Sequence, residues 1–204
     1  MCGGGRTDFV AWLVVDAPAP AGVIVSARAA IGWLRERRAV QKIVAAVEAR
    51  ENQDFVVIAC TDARTEYGID EAIARGKAYA EAGADVLFIE SPETLEEMRI
   101  IRDTFRGKTP LLSNQVEGGR TPMPGTAALQ EMGYSIALFP VGTAFAAAKG
   151  ARDYLEILKR SGNTDRARDG MLGFEEFNKL IGLDQHSRLE QRYQTRPLTQ
   201  SQDG

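Results

Sequence analysis

Histidine and cysteine are almost missing from this 204-residue chain, which has one of the first, His186, and two of the second, Cys2 and Cys60. Without clustered thiols or imidazoles, neither a disulfide framework nor a zinc centre can be built. A reducing cytoplasm is the expected setting. Basic excess is lacking too: 25 Lys and Arg face 28 Asp and Glu, for a net charge of -3. No run of like charge is available to track a phosphate backbone or an anionic bilayer, so neither nucleic acid nor a membrane is expected as a partner. No segment is long and apolar enough to span a bilayer. The short apolar run Phe9 to Val15, followed by Ala-Pro-Ala-Pro-Ala, is similar to a signal peptide, but Asp8 and Asp16 bracket it and a buried strand explains it as well.

The 44% of hydrophobic residues suffices for one sizeable core. From about residue 36 the chain alternates short β-rich runs with helical patterns, the order expected of parallel strands joined by crossover helices. Strands are expected at Phe55 to Ala59, Val86 to Glu90, Leu111 to Asn114 and Ser135 to Phe139, with weaker candidates at FVAWLVV and Gly22 to Ser26. Helices are expected around Val40 to Val47, over about Ile69 to Ala82, and from Ser91 with Pro92 in the first turn to a stop at Gly107. Others are expected near Thr126 to Met132, from about Thr143 to Lys159, and around Phe174 to Ile181. The polar stretch after Leu183 reads as a frayed end. These boundaries give a poorly defined segment 1–35, a barrel-type domain 36–193 and a polar tail 194–204.

In parallel α/β folds the reactive groups gather at the C-terminal ends of strands. The strands here run into Cys60-Thr61-Asp62, Glu90-Ser91 and Asn114-Gln115. A carboxylate directly after Val-Leu-Phe-Ile is costly unless paired, hydrated or near a metal, although Asp62 and Glu90 could also simply cap the loops that follow. The Cys2-Gly3-Gly4-Gly5 stretch lacks the strand before it and the helix after it that a phosphate cradle requires.

The segment FVVIACTDARTEYGIDEAIARGKAYAEAGADVLFIES resembles strands five to six of the isocitrate lyase and phosphoenolpyruvate mutase superfamily, with its Ala-Arg-Thr-Asp-Ala, Asp-Glu-Ala and AGAD motifs. LLSNQVEGGRTP is similar to its seventh strand and loop, and MGYSIALFPVGTAFAAAKGARDYLEILKRSG to its eighth strand and helix. The fold implied is α/β, an incomplete (β/α)8 barrel made mainly of the C-terminal half plus a C-terminal helix, expected to form a homo-oligomer. The resemblance also implies that Glu90 and Asn114 line the pocket for a small carboxylate substrate. Asp62 stands beside them, and Cys60 occupies the place of the family's substrate-binding arginine, which weakens anion binding there.

The implied reaction is Mg2+-dependent retro-aldol cleavage of a 2-hydroxy di- or tricarboxylate of the dimethylmalate or methylisocitrate kind. The C-terminal MLGFEEFNKLIGLD is nearer the dimethylmalate lyase and oxaloacetate hydrolase branch. The family's Asp-x-Asp metal pair and its Lys-Lys-Cys-Gly-His or Lys-Arg-Cys-Gly-His segment do not occur in this chain. PAPAGVIVS stands where the family reads Ala-Gly-Val-hydrophobic-Ile-Glu-Asp, so the N-terminal part is truncated or altered, with no metal ligands and no identified catalytic residue. Two alternatives therefore stand beside a lyase: a non-catalytic remnant or partner of a full-length relative, and a phosphonate-forming or phosphonate-cleaving enzyme.

Overall fold

A computed structural model describes residues 22–27, 33–52 and 54–193. Cys2, the FVAWLVV run and the tail 194–204 lie outside the described residues. Five parallel strands form one sheet in sequence order: β1 Gly22–Ala27, β2 Val56–Thr61, β3 Val86–Ile89, β4 Leu111–Asn114 and β5 Ile136–Leu138. Parallel neighbours in sequence order require a crossover each time. These are α1 Trp33–Ala49, α2 Ala63–Tyr67 with α3 Ile69–Glu81, α4 Leu95–Phe105 and α5 Thr126–Met132. The strands are apolar on both faces because each face has a separate core. Val57, Ala59, Leu87, Ile89 and Leu111 pack with helix residues such as Ile43, Tyr79, Met98 and Phe105. Ile58, Cys60, Val86, Phe88, Leu112 and Leu138 pack with one another on the opposite face. That second cluster is the layer that fills the interior of a barrel.

The AGAD motif has a structural explanation. Gly83 takes φ 96° to end the helix and comes so close to α1 that a Cβ would lie 3.3 Å from Val47 Cγ1. Asp85 then locks the lower end of the sheet: its Oδ2 accepts from Val57 N at 2.8 Å and from Arg50 Nη1 at 2.8 Å.

Several expectations need correction. β2 runs two residues further than Phe55 to Ala59, because Cys60 and Thr61 pair with both neighbours, at Ser26 and Phe88 and at Ala27 and Ile89. β3 stops at Ile89, one residue before Glu90, although Glu90 N still donates to Thr61 O at 3.0 Å. Helix α4 does not begin at Ser91. It begins at Leu95, where Thr94 is the N-cap and accepts from Glu97 N at 3.0 Å, a Thr-x-x-Glu start that outcompetes the Ser-Pro pair. Ser91 instead has φ 59°, a left-handed conformation uncommon outside glycine.

The chain divides into two compact units at Thr143/Ala144, within helix α6 Gly142–Ser161. The second unit continues through a 3-10 turn Asp165–Gly170, α7 Phe174–Leu180 and α8 Leu183–Tyr193. The last is not frayed but helical, supported by the one-turn pair His186 Nε2 to Glu190 Oε1 at 3.3 Å. Among the described residues no helix is long and apolar enough to cross a membrane.

Candidate functional site

Residues two apart on a strand point to the same face. One step beyond Cys60, Phe88 and Leu112 on the inner face are therefore Asp62, Glu90 and Asn114, at the C-terminal ends of β2, β3 and β4. The structure brings Glu90 and Asn114 together. Asn114 Nδ2 donates to Glu90 Oε2 at 3.2 Å and lies 3.5 Å from Oε1, while Ser91 Oγ donates to Oε1 at 3.2 Å. Glu90 is bonded across the sheet as well as to the loop residue Ser91, and Asp62 is the N-cap residue of α2 but makes no side-chain capping bond to that helix.

Burial is the largest influence on Glu90 and pushes its carboxyl above the usual range. The hydrogen bonds from Asn114 and Ser91 oppose that rise, and the neighbouring Asp62 charge adds to it. Asn114 also keeps a buried acceptor, Oδ1, that receives no hydrogen bond. The rim thus brings a carboxyl group and an amide donor together, a pair that matches an oxygen-rich ligand.

Cys60 lies one layer below, buried at 5% exposure among apolar neighbours. It contributes no cation. Arg64, four residues on, is committed elsewhere: its Nε and Nη2 bond the two Glu97 oxygens at 3.1 and 2.8 Å, and it also pairs with Glu93. This two-pronged clamp ties α2 to the first turn of α4, and the Glu93 pair ties it to the loop that carries Glu90 and Ser91. Sequence reasoning missed both Arg64 and the bond from Ser91. A cleft lined by Thr126, Leu129, Gln130, Tyr134 and Ile136 at the β5 edge shares no residue with this rim.

A Mg2+ ion needs near-octahedral oxygen ligands, with room for water and substrate. Among the described residues no three His, Cys, Asp or Glu side chains stand together to hold an ion. Both Glu90 oxygens already face the hydrogens of Asn114 and Ser91. The residues present here do not fit the metal.

The family pattern of phosphoenolpyruvate phosphomutase matches residues 24–159. The chain belongs to this family. 2,3-Dimethylmalate lyase of Eubacterium barkeri is 49% identical over 156 residues, which cover 76% of this chain and 53% of that protein. A crystal structure of 2,3-dimethylmalate lyase superposes with a TM-score of 0.71 at 31% identity, covering 84% of this chain and 61% of the other. Phosphonopyruvate hydrolase in complex with oxalate and Mg2+ gives a TM-score of 0.73 at 27% identity, covering 85% and 63%. The chain spans about half the length of the curated relatives it matches. Its five described strands correspond to an incomplete (β/α)8-type barrel, as the sequence implied.

Proposed function

We propose that this chain is the substrate-orienting part of a carbon–carbon lyase for small 2-hydroxy dicarboxylates of the dimethylmalate kind. The observation that carries the reading is the Glu90–Asn114 couple at the strand ends of a chain 49% identical to a 2,3-dimethylmalate lyase. In this role Asn114 Nδ2, whose amide carries two hydrogens, donates to a ligand carboxylate as well as to Glu90. Glu90 fixes the reacting end. Loss of the hydroxyl proton then breaks the neighbouring C–C bond, leaving an oxo acid and an enolate that must gain a proton. The phosphonate branch is the weaker reading on identity, at 37% to a carboxyvinyl-carboxyphosphonate phosphorylmutase against 49% to the dimethylmalate lyase.

Binding without turnover is the second reading, favoured by Cys60 in place of a guanidinium and by a donor set unsuited to Mg2+. One experiment separates the two. The purified chain is mixed with 2,3-dimethylmalate and Mg2+, binding is followed by calorimetry and pyruvate release by a coupled assay. Pyruvate at an enzymatic rate supports the lyase; binding alone, lost in Asn114→Ala, supports the second reading; no binding refutes both.

The proposal includes self-association. The helices of the second unit bury none of their residues, and Phe174, Leu180 and Tyr193 are 83%, 71% and 69% exposed. An apolar face of this extent calls for a second copy. Sedimentation should show an oligomer, and a monodisperse monomer would contradict it.

A further inference from the structure

Between Glu90 and helix α4 the chain makes the turn 91–94, and one residue of it has an unusual backbone. Ser91 has φ 59°, a region that costs a residue with a Cβ free energy and persists only where the surroundings fix it. The chain is held on both sides of that point. Before it, Glu90 N donates to Thr61 O at 3.0 Å; after it, Pro92 is buried and Glu93 N donates to Glu97 Oε2 at 2.7 Å. Glu97 does more here than complete a capping box. In that motif the glutamate reaches back to the N–H of the cap residue, Thr94, whereas Glu97 takes the N–H one residue earlier, inside the turn. Its two oxygens also accept from Arg64 Nε and Nη2 at 3.1 and 2.8 Å, and Arg64 Nη1 pairs with Glu93 itself. The Arg64 and Glu97 side chains are only 16% and 17% exposed, so water competes little for these bonds. Glu97 thereby joins the turn to α4 and to the helix that follows β2.

At the rim, this shape turns Ser91 Oγ back onto Glu90 Oε1 at 3.2 Å, while Asn114 Nδ2 holds Oε2. We propose, on the reading of Glu90 and Asn114 as a site for a 2-hydroxy dicarboxylate, that Glu97 is its positioning residue: held by Arg64, it keeps the turn in the shape through which Ser91 orients the Glu90 carboxyl. Without Glu97, Ser91 relaxes to the extended backbone that a residue before proline prefers, and its hydroxyl leaves Glu90. Glu90 is then oriented by Asn114 alone, and a less ordered acceptor receives the ligand hydroxyl less well.

Calorimetry on the full chain with two probes tests this role: 2,3-dimethylmalate, and oxalate, a dicarboxylate without a hydroxyl. Glu97→Gln keeps the shape but sets an NH2 group against the guanidinium or against Glu93 N. It should raise the Kd for dimethylmalate about tenfold and that for oxalate less. Ser91→Ala should weaken dimethylmalate in the same way, and the double variant should be little worse than either alone, because both act by one route. Thermal unfolding checks that each variant is folded. Arg64→Lys, which keeps the charge and loses the fork, carries the same expectations if Glu97→Gln does not fold. Unchanged dimethylmalate affinity in a folded variant, or losses that multiply in the double variant, overturn the assignment and leave the carboxylate site standing. A loss for oxalate as large as that for dimethylmalate means that the whole rim has moved, and also overturns it. A parent chain that does not bind dimethylmalate removes the proposed function itself, and the role of Glu97 with it.

Discussion

Adding one methyl group at Gly76 sets two effects against each other, and the structure decides which wins. Gly76 is in the middle of α3, where glycine costs about 1 kcal/mol relative to alanine, so a Gly76→Ala chain gains that much from helix propensity. The new Cβ would lie 2.9 Å from Phe105 Cζ and 3.2 Å from Ile89 Cδ1. Neither neighbour can withdraw, since Phe105 is 2% and Ile89 5% exposed and both belong to the helix-side core. Overpacking of a closed core costs about 1 to 3 kcal/mol, so the net change should be a loss of up to about 2 kcal/mol. Ile89 immediately precedes Glu90, so oxalate binding should weaken as well. Gly150→Ala is the control: it lies in α6 with nothing within 4 Å of the added atom and should gain up to about 1 kcal/mol. Denaturant titration reads both as shifts of midpoint at constant slope. A Gly76→Ala chain as stable as Gly150→Ala would refute the argument that α3, β3 and α4 are in closed contact there.

Three further outcomes follow from the rim. Glu90 has a raised pKa, so the cost of ionising it is absent at low pH and grows as pH rises through the raised value. Glu90→Gln should melt higher than the parent at about pH 8 and lose that advantage toward about pH 4. Arg64 holds the Glu97 carboxyl below its usual range, chiefly by its hydrogen bond, so this contribution is present at neutral pH and is lost as pH falls through the lowered value. Arg64→Ala should cost about 1 to 3 kcal/mol at neutral pH, with a shrinking deficit in acid, measured by thermal unfolding across pH. Cys60→Arg should tighten oxalate binding at neutral pH about tenfold or more, since each charge-assisted hydrogen bond is worth about 1.5 to 3 kcal/mol. Unchanged affinity in calorimetry would mean that Cys60 does not face the ligand.

Cys60 and Glu90 lie in chemically different layers of the same face. The inner face up to the layer of Cys60, Phe88 and Leu112 is packed and apolar. Above it, polar groups hold one another: Glu90 with Asn114 and Ser91, Arg64 with Glu93 and Glu97.

By itself the sequence determined the α/β class and the order of elements, because runs such as Val-Leu-Phe-Ile are short, β-rich and apolar on both faces while the segments between them repeat at helical spacing. Position at a strand end put Glu90 and Asn114 among several residues to question, and the resemblance to the family then implied that these two line the pocket. Boundaries were less legible where two local signals competed: Ser91-Pro92 and Thr94-x-x-Glu97 both promise a helix start, and only the extended route from β3 to α4 selects the second. The Leu183–Tyr193 helix escaped notice because its residues are mostly polar, with Leu183, Leu189 and Tyr193 its few apolar side chains. Tertiary structure alone decided that Asn114, 24 residues from Glu90, would hold its carboxyl, that Ser91 would turn back onto it, and that Arg64 would be spent on Glu93 and Glu97. Those are distances between strands and loops, set by register and packing, and periodicity along the chain carries no information about them.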